Sequence, residues 1–256
     1  MGPERRVRIG TAGWTLSRDA AASFAGPGRH LERYARRLRC AEINSSFHRS
    51  HRAAVYERWA AQTPADFRFA VKLPKAISHD ARLRRAREPL LRFLDEVEGL
   101  GDRLAVILVQ LPPSFAFEAR PVRTFFTLLG DRFGGAVVCE PRHASWSAPA
   151  ADRLLVALRV GRVAADPARW AEAARPGGWL GASGDGAGAV VYYRWHGAPR
   201  TYWSSYSPEW LGARAGELGR WPPDADRWCV FDNTASGAAI ANALELSAMI
   251  DMRASG

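Results

Sequence analysis

Short apolar runs alternate along the chain with longer segments in which apolar residues recur every three or four positions. Runs of the first kind are typical of β-strands buried on both faces, and segments of the second kind are typical of amphipathic helices. The pattern predicts strands at Val7–Thr11, Ala41–Asn44, Phe67–Lys72, Leu104–Leu111, Ala136–Cys139, Arg162–Ala165, Val190–Trp195 and Trp228–Phe231. It predicts helices over Leu31–Leu38, Ala54–Ala61, Glu88–Leu100, Val122–Leu129 and Asp152–Arg159, after Pro208, and over Ala238–Ile250.

The order of strand and helix predicts an α/β protein whose parallel sheet is covered by helices. Eight such units favour a single (β/α)8 TIM barrel domain over residues 1–256, with an open doubly wound sheet as the alternative. Irregular long loops are expected after strands six and seven. The first contains a glycine-rich tract in which Gly184–Gly188 precedes a strand rather than a helix, so a flexible loop is favoured over a dinucleotide site.

Composition narrows the class of protein further. Apolar residues make up 47% of the chain, yet no apolar run approaches the ~20 residues that span a bilayer. The chain begins without the apolar core of a signal peptide. Cys40, Cys139 and Cys229 lie at or inside apolar strand-like runs without metal-binding spacing, which indicates buried thiols in a reducing compartment. We therefore expect a cytoplasmic protein without membrane contacts, in an oligomeric state that the pattern does not indicate.

The formal net charge of +10 suggests nucleic acid or another polyanion as a possible partner. Almost all of the positive charge is arginine, because lysine occurs only at Lys72 and Lys75. The arginines are spread over predicted helix surfaces and loops without a long basic block. A purely compositional origin of the charge is therefore favoured, and nucleic-acid binding stays open.

Polar or ionisable residues end every predicted strand. In a (β/α)8 barrel these ends and the loops that follow them share one face, and active sites form there. The richest end lies where Pro141 stops a strand directly after Glu140. The candidate site residues are Trp14, Glu42, Asn44, Lys72, Gln110, Glu140, Arg142, His143, Trp146, Asp166, Arg194, His196, Tyr202, Tyr206, Asp232 and Asn233.

Several segments at these ends resemble the YecE-like proteins, a domain-of-unknown-function family. They are Gly10–Trp14, Glu42–Phe47, Phe69–Lys72, Gln110–Phe115, Glu140–Trp146, Tyr193–Gly197 and Phe231–Asn233, and they occur in register from Gly10 to about Leu246. The resemblance implies a TIM barrel, in agreement with the strand pattern. It implies no established activity.

The residue types at the strand ends indicate anion binding and acid/base chemistry. Lys72, Arg142 and Arg194 can bind an anion, and the arginines can do so as bidentate forks on phosphate or carboxylate. The alternative is a structural network of salt bridges from these cations to Glu42, Glu140, Asp166 and Asp232. The sequence leaves both interpretations open.

The candidate catalytic residues are Glu140, Glu42, His143 and His196, because a confined site of mixed charge shifts pKa values. We expect Glu140 to be the acid/base, assisted by Glu42 or His143. No cofactor is predicted. Carboxylates and histidines at strand ends could also ligate a divalent metal, but neighbouring arginines would already neutralise the carboxylates.

Aromatic residues flank the same ends of the strands. Tyr202 and Tyr206 belong to a predicted loop and could stack on a sugar or a base. For Trp14 and Trp146 we favour hydrophobic packing that supports the long loops over ligand contact.

The leading hypothesis is an enzyme, of hydrolase or lyase type, that acts on a small anionic substrate. Phosphorylated or sugar-like molecules are the most plausible substrates. The alternatives are a nucleic-acid-binding or processing protein that uses the arginine-rich surface, and a non-catalytic binder of a small ligand.

Overall fold

The computed structural model describes residues 7–181 and 190–255. In this part of the chain the strands are β1 Val7–Ala12, β2 Cys40–Ile43, β3 Arg68–Lys72, β4 Leu104–Gln110, β5 Ala136–Glu140, β6 Val160–Arg162, β7 Ala164–Asp166, β8 Gly177–Gly178, β9 Val190–Trp195 and β10 Asp226–Phe231. The α-helices are α1 Arg18–Ala21, α2 His30–Ala35, α3 Ser45–His48, α4 Ala53–Ala61, α5 Arg87–Val97, α6 Ala119–Gly130, α7 Pro149–Ala157, α8 Pro208–Leu218 and α9 Ala238–Ser255. The predicted loop Gly184–Gly188 lies outside the described residues.

One sheet holds these strands in the order β7-β9-β10-β1-β2-β3-β4-β5-β6-β8. Each pairing is parallel except that of β6 with the two-residue β8. Only Val163 separates β6 from β7, and its N–H donates to the carbonyl oxygen of Cys139 at 2.9 Å. Since β6 pairs with β5 and β7 pairs with β9, the sheet closes nearly into a barrel.

The predicted α/β architecture, with a parallel sheet and covering helices, is confirmed in this coarse form. The predicted count of eight strands is not reproduced, because the described residues form ten. The predicted strand Arg162–Ala165 is divided at Val163, with one half paired to each neighbouring strand. The start of the glycine-rich tract adds β8 at the edge of β6.

Alternate residues along the strands face opposite sides of the sheet, and two apolar layers result. The inner layer, inside the barrel, consists of strand residues together with Val163: Cys40, Ala70, Val106, Leu108, Val138, Val163, Val190, Tyr192, Trp228 and Val230. The outer layer packs the other face of the strands against the helices. In α6, for example, Val122, Phe125, Phe126 and Leu129 are buried, as the helical period predicts.

No helix in the described part of the chain is long and apolar enough to span a membrane. Cys40, Cys139 and Cys229 are buried and unpaired, as the sequence predicts. Burial raises the pKa of each of these thiols above its ordinary value, so all three stay protonated at neutral pH.

Gly10 marks the closest approach of β1 to β2, and a side chain there would overlap the carbonyl oxygen of Cys40. Because the obstacle is backbone, Gly10→Ala is expected to lower the free energy of unfolding by about 1–3 kcal/mol. Gly212→Ala in α8 is the control, since nothing lies within 4 Å of the added methyl group. It should be neutral or add up to about 1 kcal/mol. Urea denaturation followed by tryptophan fluorescence measures both, and equal midpoints would contradict the expectation.

Candidate functional site

Polar side chains replace the inner apolar layer at the carboxyl ends of the strands. Because side chains alternate between the two faces of a strand, each of these polar residues lies two positions after an apolar residue of the inner layer. The successive pairs are Cys40 and Glu42, Ala70 and Lys72, Leu108 and Gln110, Val138 and Glu140, Tyr192 and Arg194, and Val230 and Asp232. The charged residues therefore form the top layer of the barrel interior.

Arg194 lies at the centre of this layer and is fully buried. Its Nε and Nη2 donate to the two carboxylate oxygens of Glu42, at 2.9 and 2.6 Å. Its Nη1 donates to Oε2 of Glu140 at 2.6 Å, and its Nη2 also donates to Oδ2 of Asp232 at 3.0 Å. Gln110 Oε1 lies 3.5 Å from Nη1. One guanidinium thus joins β9 to β2, to β5 and to the end of β10.

Arg142 and His196 complete the network around Glu140. Arg142 donates to Oε1 of Glu140 from Nε at 2.9 Å, and its Nη2 lies 2.8 Å from the same oxygen. The His196 ring places Nε2 3.2 Å from that oxygen and Nδ1 3.0 Å from Oδ2 of Asp232. We call Glu42, Glu140, Arg142, Arg194, His196 and Asp232 the central ion cluster.

The carboxylates of Glu140 and Asp232 are held in the ionised form. Burial by itself raises their pKa values, but Arg142 and Arg194 lower the pKa of Glu140 well below its ordinary value. Arg194 and His196 lower the pKa of Asp232 in the same way. A carboxylate with such a low pKa is a weak base and holds no proton to donate at neutral pH. This favours the structural salt-bridge interpretation of the arginines and carboxylates.

Lys72 borders the cluster but does not join its hydrogen bonds. Within residues 7–181 and 190–255, its ammonium group has no hydrogen-bond or ion-pair partner. Instead, Nζ lies 4.1 Å above the centre of the Phe47 ring, and the residue is only 9% exposed. Burial, followed by the charge of Arg194, lowers the pKa of Lys72 to about 8. Lys72 is thus a buried cation with three unused donors and a pKa close to neutrality.

His79 contacts the same aromatic ring and lies in the segment that follows β3. Its ring centre is 4.9 Å from that of Phe47, and its Nδ1 is 2.9 Å from the hydroxyl of Ser78. Burial and the positive charges of Lys72 and Arg142 lower the pKa of His79 to about 4. The imidazole is therefore neutral at physiological pH and is a weak base.

Tyr202 reaches the cluster from the loop after β9. Its hydroxyl accepts a hydrogen bond from Nη1 of Arg142 at 2.9 Å, and its ring meets that of His196 edge-on at 5.4 Å. The residue is 39% exposed and has a φ of 67°, which is unusual for a residue other than glycine. Beside it, the Arg200 guanidinium lies 4.4 Å from the ring centre of the exposed Trp203.

Other predicted site residues hold the loops together, and the carbonyl oxygen of Asp166 accepts a hydrogen bond from the backbone N–H of His196 at 2.7 Å. Tyr206 donates to Oδ1 of Asp166 at 2.8 Å and stacks on Trp210. Asn233 donates to the carbonyl of Ser204 at 2.9 Å. These contacts fix the course of the loop that carries Tyr202.

The remaining candidates have local or core roles. His143 accepts a hydrogen bond from the N–H of Ser145 at 3.1 Å and begins a short 3-10 helix. Asn44 precedes α3, and its buried side-chain oxygen has no hydrogen-bond partner in the described chain. The two tryptophans pack in the outer apolar layer: Trp14 meets Trp59 and Phe69, and Trp146 donates to the carbonyl of Phe115. Packing is therefore the observed role of Trp14 and Trp146.

The sequence interpretation missed Tyr192 and His79. Tyr192 is buried, and its hydroxyl donates to Oε2 of Glu42 at 2.9 Å. Burial and Glu42 raise its pKa well above the ordinary value, so it remains a donor. The period of two from Arg194 back to Tyr192 was available as a signal. No comparable pattern marks His79, which the π-helix Ala76–Asp80 brings back toward the end of β3.

In the described residues, no group of three or more His, Cys, Asp or Glu side chains is arranged to hold a metal ion. The guanidinium of Arg194 lies between the carboxylates that the sequence offered as metal ligands. Their oxygens are thereby engaged in ion pairs.

Fold and site define a class of α/β protein in which a nearly closed parallel barrel carries a buried ion cluster at the carboxyl ends of its strands. The chain belongs to the DUF72 family, a protein family of unknown function, whose model matches residues 8–256.

A 114-residue region is 35% identical to the UPF0759 protein YecE of Escherichia coli K12. The region covers 44% of this chain and 42% of that protein, so the match spans less than half of the relative's length. Two solved DUF72 structures share the fold. TM1631 from Thermotoga maritima MSB8 has a TM-score of 0.75 at 22% identity, over 96% of this chain and 99% of that one. EF0366 from Enterococcus faecalis V583 has a TM-score of 0.74 at 17% identity, over 96% and 95%.

Removal of the Arg194 guanidinium should destabilise the folded protein. Arg194→Met leaves the buried carboxylates uncompensated, and we expect it to lower the free energy of unfolding by about 3–5 kcal/mol at pH 7. The matched control is Arg39→Met, which breaks an exposed ion pair with Asp66 and should change it by no more than about 1 kcal/mol. Chemical denaturation of both variants measures the difference. Similar losses for the two would show that Arg194 is not the electrostatic centre.

Proposed function

We propose that this protein binds a small anionic molecule above the central ion cluster and processes it by acid/base chemistry. A phosphorylated or sugar-like substrate and a hydrolase- or lyase-type reaction fit this proposal. The observation that carries it is the ammonium group of Lys72, which is buried and has no polar partner within the described chain. The proposal treats β6 and β7 as one interrupted strand of a (β/α)8 barrel, whose sites form at this end.

The pairing within the cluster singles out Lys72 as the anion-binding group. Glu42, Glu140 and Asp232 already receive hydrogen bonds from Arg194, so none of them neutralises the lysine at hydrogen-bonding distance. A desolvated ammonium with unused donors gains most from an incoming anion, because the surroundings screen the attraction weakly. Arg142 is the second anion-binding candidate, since its Nη1 is bonded only to the partly exposed Tyr202.

The same geometry favours Lys72, rather than a carboxylate, as the acid/base group. Glu140 is held ionised by two guanidinium groups, which suits it to position Arg142 and Arg194. Lys72 has a pKa near 8 and exchanges protons readily at neutral pH. In this proposal Lys72 is the acid/base.

One observation favours a second candidate function, a non-catalytic binder of the same anion. All the carboxylates of the cluster are engaged in ion pairs, and such a network also describes a rigid binding site without turnover. The two functions differ in whether the ligand is recovered unchanged.

Nucleic-acid binding through the arginine-rich surface stays a prediction. A cytoplasmic location is proposed from the free, buried cysteines.

The first test is the binding of inorganic sulfate and of sugar phosphates, measured by thermal shift and calorimetry with neutral sugars as controls. A ligand at 100 times its Kd should stabilise the protein by about 2.7 kcal/mol. Lys72→Met should weaken sulfate binding roughly 10- to 100-fold, because a hydrogen bond to a charged group contributes about 1.5–3 kcal/mol. Lys75→Met is the matched control, since Lys75 is exposed and paired with Asp80. Equal effects of the two substitutions would refute the proposed anion site.

Sulfate affinity should also depend on pH in a defined direction. Below the Lys72 pKa of about 8 the side chain is an ammonium ion, and above it the group is neutral, so affinity falls as pH rises through this value. Sulfate keeps its charge over this range, and His79, with a pKa of about 4, stays neutral. Lys72→Arg should retain binding and remove the pH dependence. Calorimetry between pH 6 and pH 10 measures this, and an unchanged profile in the variant would contradict it.

A further inference from the structure

Lys72 differs chemically from the arginines around it. A lysine that loses its proton exposes a nitrogen lone pair, whereas guanidinium stays protonated in proteins. We propose that the Lys72 amine is a nucleophile that forms an imine with the carbonyl carbon of an anionic aldehyde or ketone. The inference rests on the proposed function, because the anion site supplies the binding of this substrate class.

The position of Nζ suits such a reaction. It lies over the apolar face of Phe47, and no carboxylate of the described chain holds it in an ion pair. Lysine becomes nucleophilic when it is desolvated or lies beside another cation, and here both conditions hold. The residue is not completely buried, since 9% of its surface is exposed.

The charged groups around Lys72 come from several elements. Arg194 from β9 lowers its pKa, after burial, while three carboxylates oppose this change. They are Glu42 from β2, Glu140 from β5 and Asp232 at the end of β10. His79 follows β3 and is neutral above a pH of about 4, so it adds no positive charge near neutral pH. A pKa of about 8 therefore leaves a useful fraction of free amine at physiological pH.

The step conserves atoms and electrons. The neutral amine attacks the carbonyl carbon, a C–N bond forms, and the C=O π pair moves to oxygen, which takes a proton. The nitrogen then loses a proton to solvent. The hydroxyl group leaves as water after protonation, and the nitrogen lone pair forms the C=N bond of a protonated imine. This ion releases its remaining N–H proton to solvent and becomes the neutral imine. One amine and one carbonyl thus yield one imine and one water.

The chain contains only two lysines, so a labelled lysine side chain has to be assigned only to Lys72 or Lys75. The protein is incubated with glyceraldehyde 3-phosphate or pyruvate at pH 8, and sodium borohydride then reduces any imine to a stable secondary amine. Peptide mass spectrometry locates the adduct. We expect labelling of Lys72 at least about tenfold faster than of Lys75, which is exposed and paired with Asp80. Unphosphorylated glyceraldehyde should label Lys72 more slowly than its phosphate ester does.

Two variants separate this inference from the proposed function. Lys72→Arg keeps the charge, so it should still bind sulfate while losing the adduct, and Lys75→Arg should retain the Lys72 adduct. Sulfate binding by the wild type without any Lys72 adduct would overturn the imine and leave the anion site intact. The loss of both would overturn both proposals. Equal labelling of the two lysines, or equal rates with glyceraldehyde and its phosphate, would also overturn the inference.

Discussion

The structure at the upper end of the barrel depends on the neutralisation of one buried guanidinium. Arg194 is removed from water, which is costly for an isolated charge, and burial alone lowers its pKa. Glu42, Glu140 and Asp232 reverse this effect and raise its pKa well above the ordinary value. Because these carboxylates belong to different strands, the ion pairs exist only when the sheet closes. The ion pairs therefore depend on the assembly of these strands into one nearly closed sheet.

This arrangement decides which groups are left for chemistry. The carboxylate oxygens accept hydrogen bonds from Arg194, Arg142 and Tyr192. The ammonium group of Lys72, at the end of β3, takes no part in these hydrogen bonds. It lies above the Phe47 ring, and burial disfavours its charged form. The sequence pattern points to a pair of carboxylic acids, whereas in three dimensions these carboxylates are paired with arginine and the Lys72 ammonium group is not paired within the described chain.

The relatives constrain the fold more than the function. The two solved DUF72 structures match over almost their whole length, at 17% and 22% identity. At this identity the similarity supports a shared fold and says nothing about function. The argument for function therefore depends on the contacts of this chain's own residues. The loop that carries Tyr202 is fastened by Tyr206 and Asn233, so it presents a fixed aromatic edge to the cluster.

The sequence by itself determined the α/β class, the positions of most strands and helices, and the polar residues at the strand ends. These are local properties, because apolar periodicity and turn residues act over a few positions. It also contained, through the period of two in β9, the signal that Tyr192 and Arg194 share one face. That the helix-covered strands form one parallel sheet followed from their continuous apolar character.

Only the tertiary structure decided how these residues combine. Glu42 and Arg194 are 152 positions apart, and their contact depends on strand register and on closure of the sheet. The same long-range packing set which residues Trp14 and Trp146 contact in the outer apolar layer, and it divided the sixth predicted strand at Val163. It also left the Lys72 ammonium group without a hydrogen-bond or ion-pair partner in the described chain. Pairing across the barrel is a property of three-dimensional distance, which no local pattern encodes.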